Sequence, residues 1–181
     1  GSFFMENGYP AATGIGTKYG GVQIEVDVLS GSALYSNRID NPSQRAAYIY
    51  SKDVLVGDNN VTTPKFERAR SVLFYGKGWI YISGTAAIRG EESLGDNAFL
   101  QTSITLDNIE LLVSESNLIT CGISGKAKLN TFRVYVKEPG YLEDIKKCTD
   151  SRYSDVNVIY VTADICRDNL LVEIEAHALI F

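Results

Sequence analysis

One histidine, His177, is all that 181 residues offer for imidazole chemistry, and there is a single tryptophan and a single methionine. A Ser-His-Asp triad would have to use His177, and no G-x-S-x-G elbow accompanies it, so that class is excluded in practice. Cysteine is also sparse. Cys121, Cys148 and Cys166 are odd in number and lack metal-ligand spacing, which suits a reducing cytoplasm better than a disulfide scaffold. No apolar run approaches the roughly 20 residues of a membrane span, and no secretory leader pattern is legible. Cytoplasmic localisation is therefore the expectation, with no membrane partner. The net charge is −5 and no Lys/Arg run is interleaved with aromatics, so no nucleic-acid partner is expected.

What is present is a medium-sized, 45% hydrophobic chain, enough for one globular domain over residues 1–181. Residues 1–70 read as a Gly-rich lead-in, a first strand at Val22–Val28, and a long irregular connection from Gly31 to Thr63. Gly14, Gly16 and Gly20 resemble a dinucleotide loop only loosely, because a strand rather than a helix is expected next. Tyr48 and Tyr50 would share a face if their segment is extended. Residues 71–181 read as a core in the order βαβαββ.

In that core, Ser71–Tyr75 and Trp79–Ser83 are expected to pair through the turn Gly76-Lys77-Gly78. Phe99, Thr102, Leu106, Ile109 and Val113 recur at helical spacing, with a cap at Gly95-Asp96 and an exit marked by Asn117 and Gly122. A strand over Ala127–Lys137 puts Leu129, Thr131, Arg133, Tyr135 and Lys137 on one face and Phe132, Val134 and Val136 on the other. Pro139 opens a second helix with Leu142, Ile145 and Cys148 inward. Val156–Ile165 and Leu170–Phe181 flank Arg167-Asp168-Asn169 and predict a closing hairpin. In its second arm Val172, Ile174, Ala176, Ala178 and Ile180 face the core, and Glu173, Glu175 and His177 face away. The fold class is α+β, one sheet with two helices covering one face.

Three groups on one strand face stand about 7 Å apart in succession, too far to ligate one ion unaided. No metal and no cofactor is expected. Cys166 beside Arg167 reads either as an activated thiol or as a small buried hydrophobe.

The run Ala163-Asp164-Ile165-Cys166-Arg167-Asp168-Asn169-Leu170-Leu171-Val172-Glu173-Ile174-Glu175 resembles the C-terminal signature of the chorismatases. Collinear matches precede it. They are Pro10-Ala11-Ala12-Thr13-Gly14-Ile15-Gly16, the Asn41-Pro42, Gln44 and Ala47-Tyr48 positions, Phe66 with Arg68-Ala69, Ile82-Ser83-Gly84-Thr85-Ala86 with Ile88, and Val134-Tyr135-Val136. More widely, Ser83-Gly84-Thr85-Ala86 and the Val172–Ala176 run resemble the YjgF/RidA superfamily. That resemblance implies a YjgF/RidA-like, chorismate-mutase-like mixed sheet backed by two helices.

The resemblance implies release of pyruvate from chorismate or a close analogue, a small dicarboxylate, giving a hydroxybenzoate or a dihydroxycyclohexadiene carboxylate. It places Glu173 as the acid that protonates the enolpyruvyl methylene, and Cys166 at the position associated with aromatising members. The implied substrate contacts are Tyr48, Tyr50, Arg68, Gly84, Ala86, Arg133 and Lys137. The family's YRYPR reads Tyr48-Ile49-Tyr50-Ser51-Lys52 here, its VYVR ends in Lys137, and its Gly-His reads Gly90-Glu91. Lysine for arginine removes a planar two-pronged donor. Imine deamination of the RidA type is the first alternative, and Val158 stands where the deaminases carry the arginine for the substrate carboxylate. A non-catalytic ligand-binding or oligomerising domain is the second. Chorismatases carry a further N-terminal half, so the chain is expected to be the C-terminal part of a longer protein. If the domain stands alone, self-association as a trimer is a route to completing the site.

Overall fold

The computed structural model describes residues 8–16, 24–26, 28–55, 62–75 and 77–181. Six strands form one mixed sheet: β1 (Leu34–Ile39), β2 (Ala69–Phe74), β3 (Lys77–Thr85), β6 (Ala127–Val136), β7 (Asn157–Thr162) and β8 (Val172–Ile180). Their spatial order is β1-β2-β3-β8-β6-β7. A two-stranded ribbon, β4 (Ile88–Arg89) with β5 (Glu92–Ser93), follows β3. The helices are α1 (Ala98–Val113), α2 (Glu115–Thr120) and α3 (Leu142–Arg152).

The closing hairpin expected around Arg167-Asp168-Asn169 does not form. β7 pairs with β6 in parallel, Phe132 opposite Val158, while β8 runs antiparallel to both β3 and β6. β8 thus enters the middle of the sheet and β7 lies at its edge. Local turn chemistry suggested a hairpin, but burial decided otherwise. β8 buries Val172, Ile174, Ala176 and Ala178 at 1% exposure or less, as a central strand must, whereas β7 leaves Ile159 55% exposed, as an edge tolerates.

The core lies between the sheet and α1 and α3. Ile80 and Ile82 from β3, Phe132, Val134 and Val136 from β6, and the inward row of β8 meet Leu106, Ile109 and Leu112 of α1 and Ile145 and Cys148 of α3. The two expected helices form, with differences in detail. α1 is capped by Asn97, not by Gly95-Asp96: Asn97 Oδ1 accepts from the Leu100 amide at 2.9 Å. Asn97 is extended and one residue closer to the first helical turn, which lets its short amide side chain reach that N–H. Phe99, expected inward, is 41% exposed, and the buried stripe joins Gln101, Thr105, Asn108 and Leu112 to the expected Thr102, Leu106 and Ile109. Asn117 does not mark an exit. It is buried in α2, donating to the carbonyls of Asp40 and Leu112 at 3.0 Å.

Two further expectations change. The irregular stretch from Gly31 holds the edge strand β1, and Ala47–Ile49 is a 3-10 turn, so Tyr48 and Tyr50 are not extended neighbours. A register shift between Leu129 and Thr131 turns Leu129 to the Phe132 side, into the core. The Val22–Val28 strand lies largely outside the described residues, and residues 24–26 carry no strand. No helix among the described residues is long and apolar enough to cross a membrane.

Candidate active site

Period-two geometry sends Glu173, Glu175 and His177 to the sheet face opposite the helices. Glu173 lies opposite Tyr135 of β6, and its other flank meets Gly84 at the end of β3. Strands β3 and β8 slip register between Ile82 and Thr85, which opens the notch that the carboxyl fills. A Cβ at position 84 would collide with Glu173 Oε1 and stand 2.8 Å from Thr13 Cγ2. Glycine is needed there because a carboxylate occupies the space of a side chain.

Glu173 is 6% exposed. Desolvation pushes its carboxyl from the ordinary 4.5 up to about 7; Glu175 adds to the rise, and the charge of Arg68 opposes it. Glu175 itself is held by Arg133 Nη1 at 3.0 Å and by the Tyr135 hydroxyl at 3.2 Å. Burial pushes the Tyr135 phenol up, so it remains a donor at neutral pH.

On the far side of Gly84 is a cationic corner. Arg68, 4% exposed, donates through Nη2 to the carbonyl of Arg45 at 2.8 Å and to the Tyr50 hydroxyl. Its guanidinium lies 5.4 Å from the Tyr50 ring centre, and that of Arg167 lies 5.3 Å from the same ring. Arg167 is fixed by Nη1 to the Glu91 carbonyl at 2.7 Å and to Ser93 Oγ at 3.2 Å. Arg68 Nε and Arg167 Nη2 are buried without a hydrogen-bond partner among the described residues. Buried donors of a charged group are seldom left so, and a bound anion is the natural complement.

Residues 9–16 form a strap along this corner. The Tyr9 amide donates to Glu67 Oε1 and the Ala12 amide to Ser83 Oγ, both at 2.9 Å. Gly84 N donates to Thr13 Oγ1 at 2.9 Å, and Gly16 exchanges backbone bonds with Asp164. Glu67, buried and paired with Arg70 at 2.6 Å, anchors the start. Gly14 and Gly16 lie in this strap, and Gly20 with the residues that follow Gly16 lies outside the described residues.

The expected site residues are thus dispersed unevenly. Glu173, Gly84, Arg68 and Tyr50 gather around one notch. Cys166 belongs to the same neighbourhood: it is exposed, but protein atoms crowding its sulfur, with the Glu173 charge behind them, push its thiol up. Neither reading of Cys166 from the sequence describes it, since it is neither a low-pKa thiol nor a buried one. Arg133 is engaged with Glu175, and Lys137 Nζ donates to the carbonyls of Arg167 and Asp168 at 3.1 and 2.8 Å. Tyr48 packs on Tyr9 and accepts from Arg38, and Ala86 is buried with Ile88, Ile165 and Leu170. Glu91 accepts from the Ser51 amide, which holds its carboxyl below the usual range. Val158 packs against the core. Arg167, Tyr135 and Thr13 were not singled out by sequence reasoning. Arg167 adjoins the signature's cysteine, and its adjacency was the signal available.

No group of three or more His, Cys, Asp or Glu residues among those described is arranged to hold a metal ion. Two surface hollows, one beside Asn37 and Cys121 and one beside Trp79 and His177, are not lined by Glu173.

No family model matches the chain. It is 35% identical over 178 residues to a 3-hydroxybenzoate synthase of Streptomyces hygroscopicus, covering 92% of this chain and 50% of the relative. A chorismatase of Streptomyces hygroscopicus is 30% identical, at 92% and 48% coverage. Among solved structures, a chorismatase crystal structure superposes with a TM-score of 0.77 at 27% identity, covering 96% of this chain and 54% of that one. Yeast Mmf1, at 10% identity and a TM-score of 0.55 over 81% of this chain and all of that one, shares the fold. The mixed sheet backed by helices is the YjgF-type α+β fold. The chain spans about half the length of the curated relatives it matches. Over that half, in sequence and in fold, the chain is similar to chorismatases.

Proposed function

We propose that this domain carries chorismatase chemistry, releasing pyruvate from chorismate or a close analogue, with Glu173 as the general acid. The observation that carries the reading is a buried carboxyl raised to about 7 under the opposing charge of Arg68, wedged at Gly84, with Arg68 and Arg167 around Tyr50 each keeping a buried donor without a partner among the described residues. Such a carboxyl is protonated often enough at neutral pH to give a proton, and strong enough as an acid to give it. Arg68 and Arg167 would hold substrate carboxylates, with Tyr50 between them as an aromatic floor. Tyr48, Ala86, Arg133 and Lys137 remain the proposed outer lining.

In this reading Glu173 protonates the enolpyruvyl methylene, and positive charge develops at the ether carbon. Water captured there breaks the ether and yields pyruvate and the dihydrodiol. Alternatively the neighbouring ring hydroxyl loses its proton and displaces the side chain, bridging two ring carbons; one C–O bond of that bridge then opens, its oxygen takes a proton, and loss of a ring proton gives the hydroxybenzoate with no net uptake of water. The second outcome is favoured here: Cys166 is a neutral thiol and a poor partner for water, and the relative at 35% identity is a 3-hydroxybenzoate synthase. No cofactor enters either route. Imine deamination is not favoured, because Val158 is packed into the core and offers no cation. The relatives are about twice as long, so a second domain or a trimer is proposed to complete the enclosure. Unpaired cysteines accord with a cytoplasmic setting.

The test is a coupled assay of pyruvate release from chorismate, with the ring product identified by chromatography. Release with hydroxybenzoate is expected, and its loss in Glu173→Gln. A folded parent that releases no pyruvate, in full-length and isolated forms alike, overturns the reading.

A further inference from the structure

Between Ile165 and β8 the chain makes a turn with no regular structure, and its backbone groups are held by side chains from distant elements. Gln101, on α1 and 2% exposed, donates through Nε2 to the carbonyls of Asn169 at 2.8 Å and Gly95 at 3.1 Å. Its Oε1 accepts from the Leu171 amide at 2.8 Å. From the strand side, Lys137 Nζ takes the carbonyls of Arg167 and Asp168, and the Lys137 amide donates to the Leu171 carbonyl at 3.1 Å. An ammonium with three donors on a flexible stem reaches two successive carbonyls in a way that a planar fork does not.

The turn has Cys166 immediately on one side and Glu173 two residues past Leu171 on the other. We propose that Gln101, seconded by Lys137, is a positioning residue that stakes this turn and fixes Cys166 relative to Glu173, and so sets the partition between hydroxybenzoate and dihydrodiol. The inference rests on the chorismatase reading for its product arm and on contacts alone for its structural arm. Gln101 lies on the helix side of the sheet, so it touches no reacting group. An apolar residue of equal size would fill its place in the core, and what the amide adds is two bonds to this turn, at Asn169 and Leu171, and a third to Gly95 at the start of its own helix. Without them one carbonyl and one amide of the turn lose their partners, and the turn shifts to recover them. Small displacements of a positioned group are costly in product control, since a 1 Å misplacement is worth roughly a hundredfold in rate.

The experiment uses Gln101→Met, of similar volume, and Gln101→Glu, which keeps the bond from Leu171 and loses those to Asn169 and Gly95. Two readouts are taken on the purified protein: the ratio of ring products, and the rate at which iodoacetamide labels Cys166, resolved from Cys121 by peptide mass spectrometry. In Gln101→Met the dihydrodiol share is expected to rise about fivefold or more, with kcat falling more than KM changes. Cys166 labelling is expected to change by about fivefold, while Cys121 labelling stays as in the parent and reports an intact fold. Gln101→Glu should move both readouts the same way by less, and Lys137→Met should reproduce the labelling change. Parent-like product ratio and Cys166 labelling in both Gln101 variants overturn the proposal. If the parent releases no pyruvate, the chorismatase reading falls, and the labelling rate alone upholds or overturns the staking of the turn.

Discussion

On β8, Val172, Ile174, Ala176 and Ala178 look toward the helices and are all at or below 1% exposure, while Glu173, Glu175 and His177 on the reverse pass from buried to half-buried. The two rows share one backbone, yet different physics governs them. The apolar row follows from removal of hydrocarbon from water, which is indifferent to direction and forgiving of exchange among similar volumes. The polar row depends on a single slip of register and on one glycine, which together sink Glu173 while leaving Glu175 within reach of Arg133 and Tyr135. One face therefore supplies stability, and the other spends some of it on a carboxyl held neutral.

Substitutions separate the faces. Glu173→Gln should lower pyruvate release by about 10²- to 10⁴-fold, with the fold retained by circular dichroism. Phe132→Ala, on the helix face and fully buried against Tyr153, should cost about 3–5 kcal/mol in urea denaturation. Its folded fraction should still turn over, and loss of turnover in that fraction would blur the division of labour. The stability of the parent should fall as pH rises from the ordinary 4.5 of an unfolded glutamate through about 7, because the folded state binds the Glu173 proton more tightly than the unfolded chain does. That loss amounts to about 3 kcal/mol and should vanish in Glu173→Gln. Over the same range activity should decline on its basic limb. Asn97→Ala, which removes the side-chain cap of α1, should cost only about 1 kcal/mol and leave the pH profile untouched.

The helix face was legible in the sequence because burial and periodicity coincide there. Phe132, Val134 and the inward row of β8 are read directly from alternation, as are Leu106 and Ile109 from helical spacing. Gln101 and Asn108 break that logic, since their burial is explained by carbonyls that belong to other parts of the chain, while Thr105 is satisfied by the Gln101 carbonyl one turn back in its own helix. The place of β8 was misread because a turn looks the same whether its arms pair with each other or with third strands. Residues of the proposed site were named by resemblance to a signature, Glu173 and Cys166 above all. Arg167 and Tyr135 were not, because their roles come from packing on Tyr50 and from standing across the sheet from Glu173, and neither fact is local in sequence.

The central position of β8 has a consequence for the order in which the molecule can be assembled. Both of its neighbours, β3 and β6, precede it in the chain, and their pairings with it close loops of about 90 to 100 residues for β3 and about 35 to 55 for β6, whose entropy must be met before any ladder bond forms. Until the chain from Val172 to Ile180 is available, β1-β2-β3 and β6-β7 are two half-sheets with open inner edges. The carboxyl of the proposed site and the strand that joins the halves therefore arrive together, and under that proposal a half-built form of this domain is expected to be inactive.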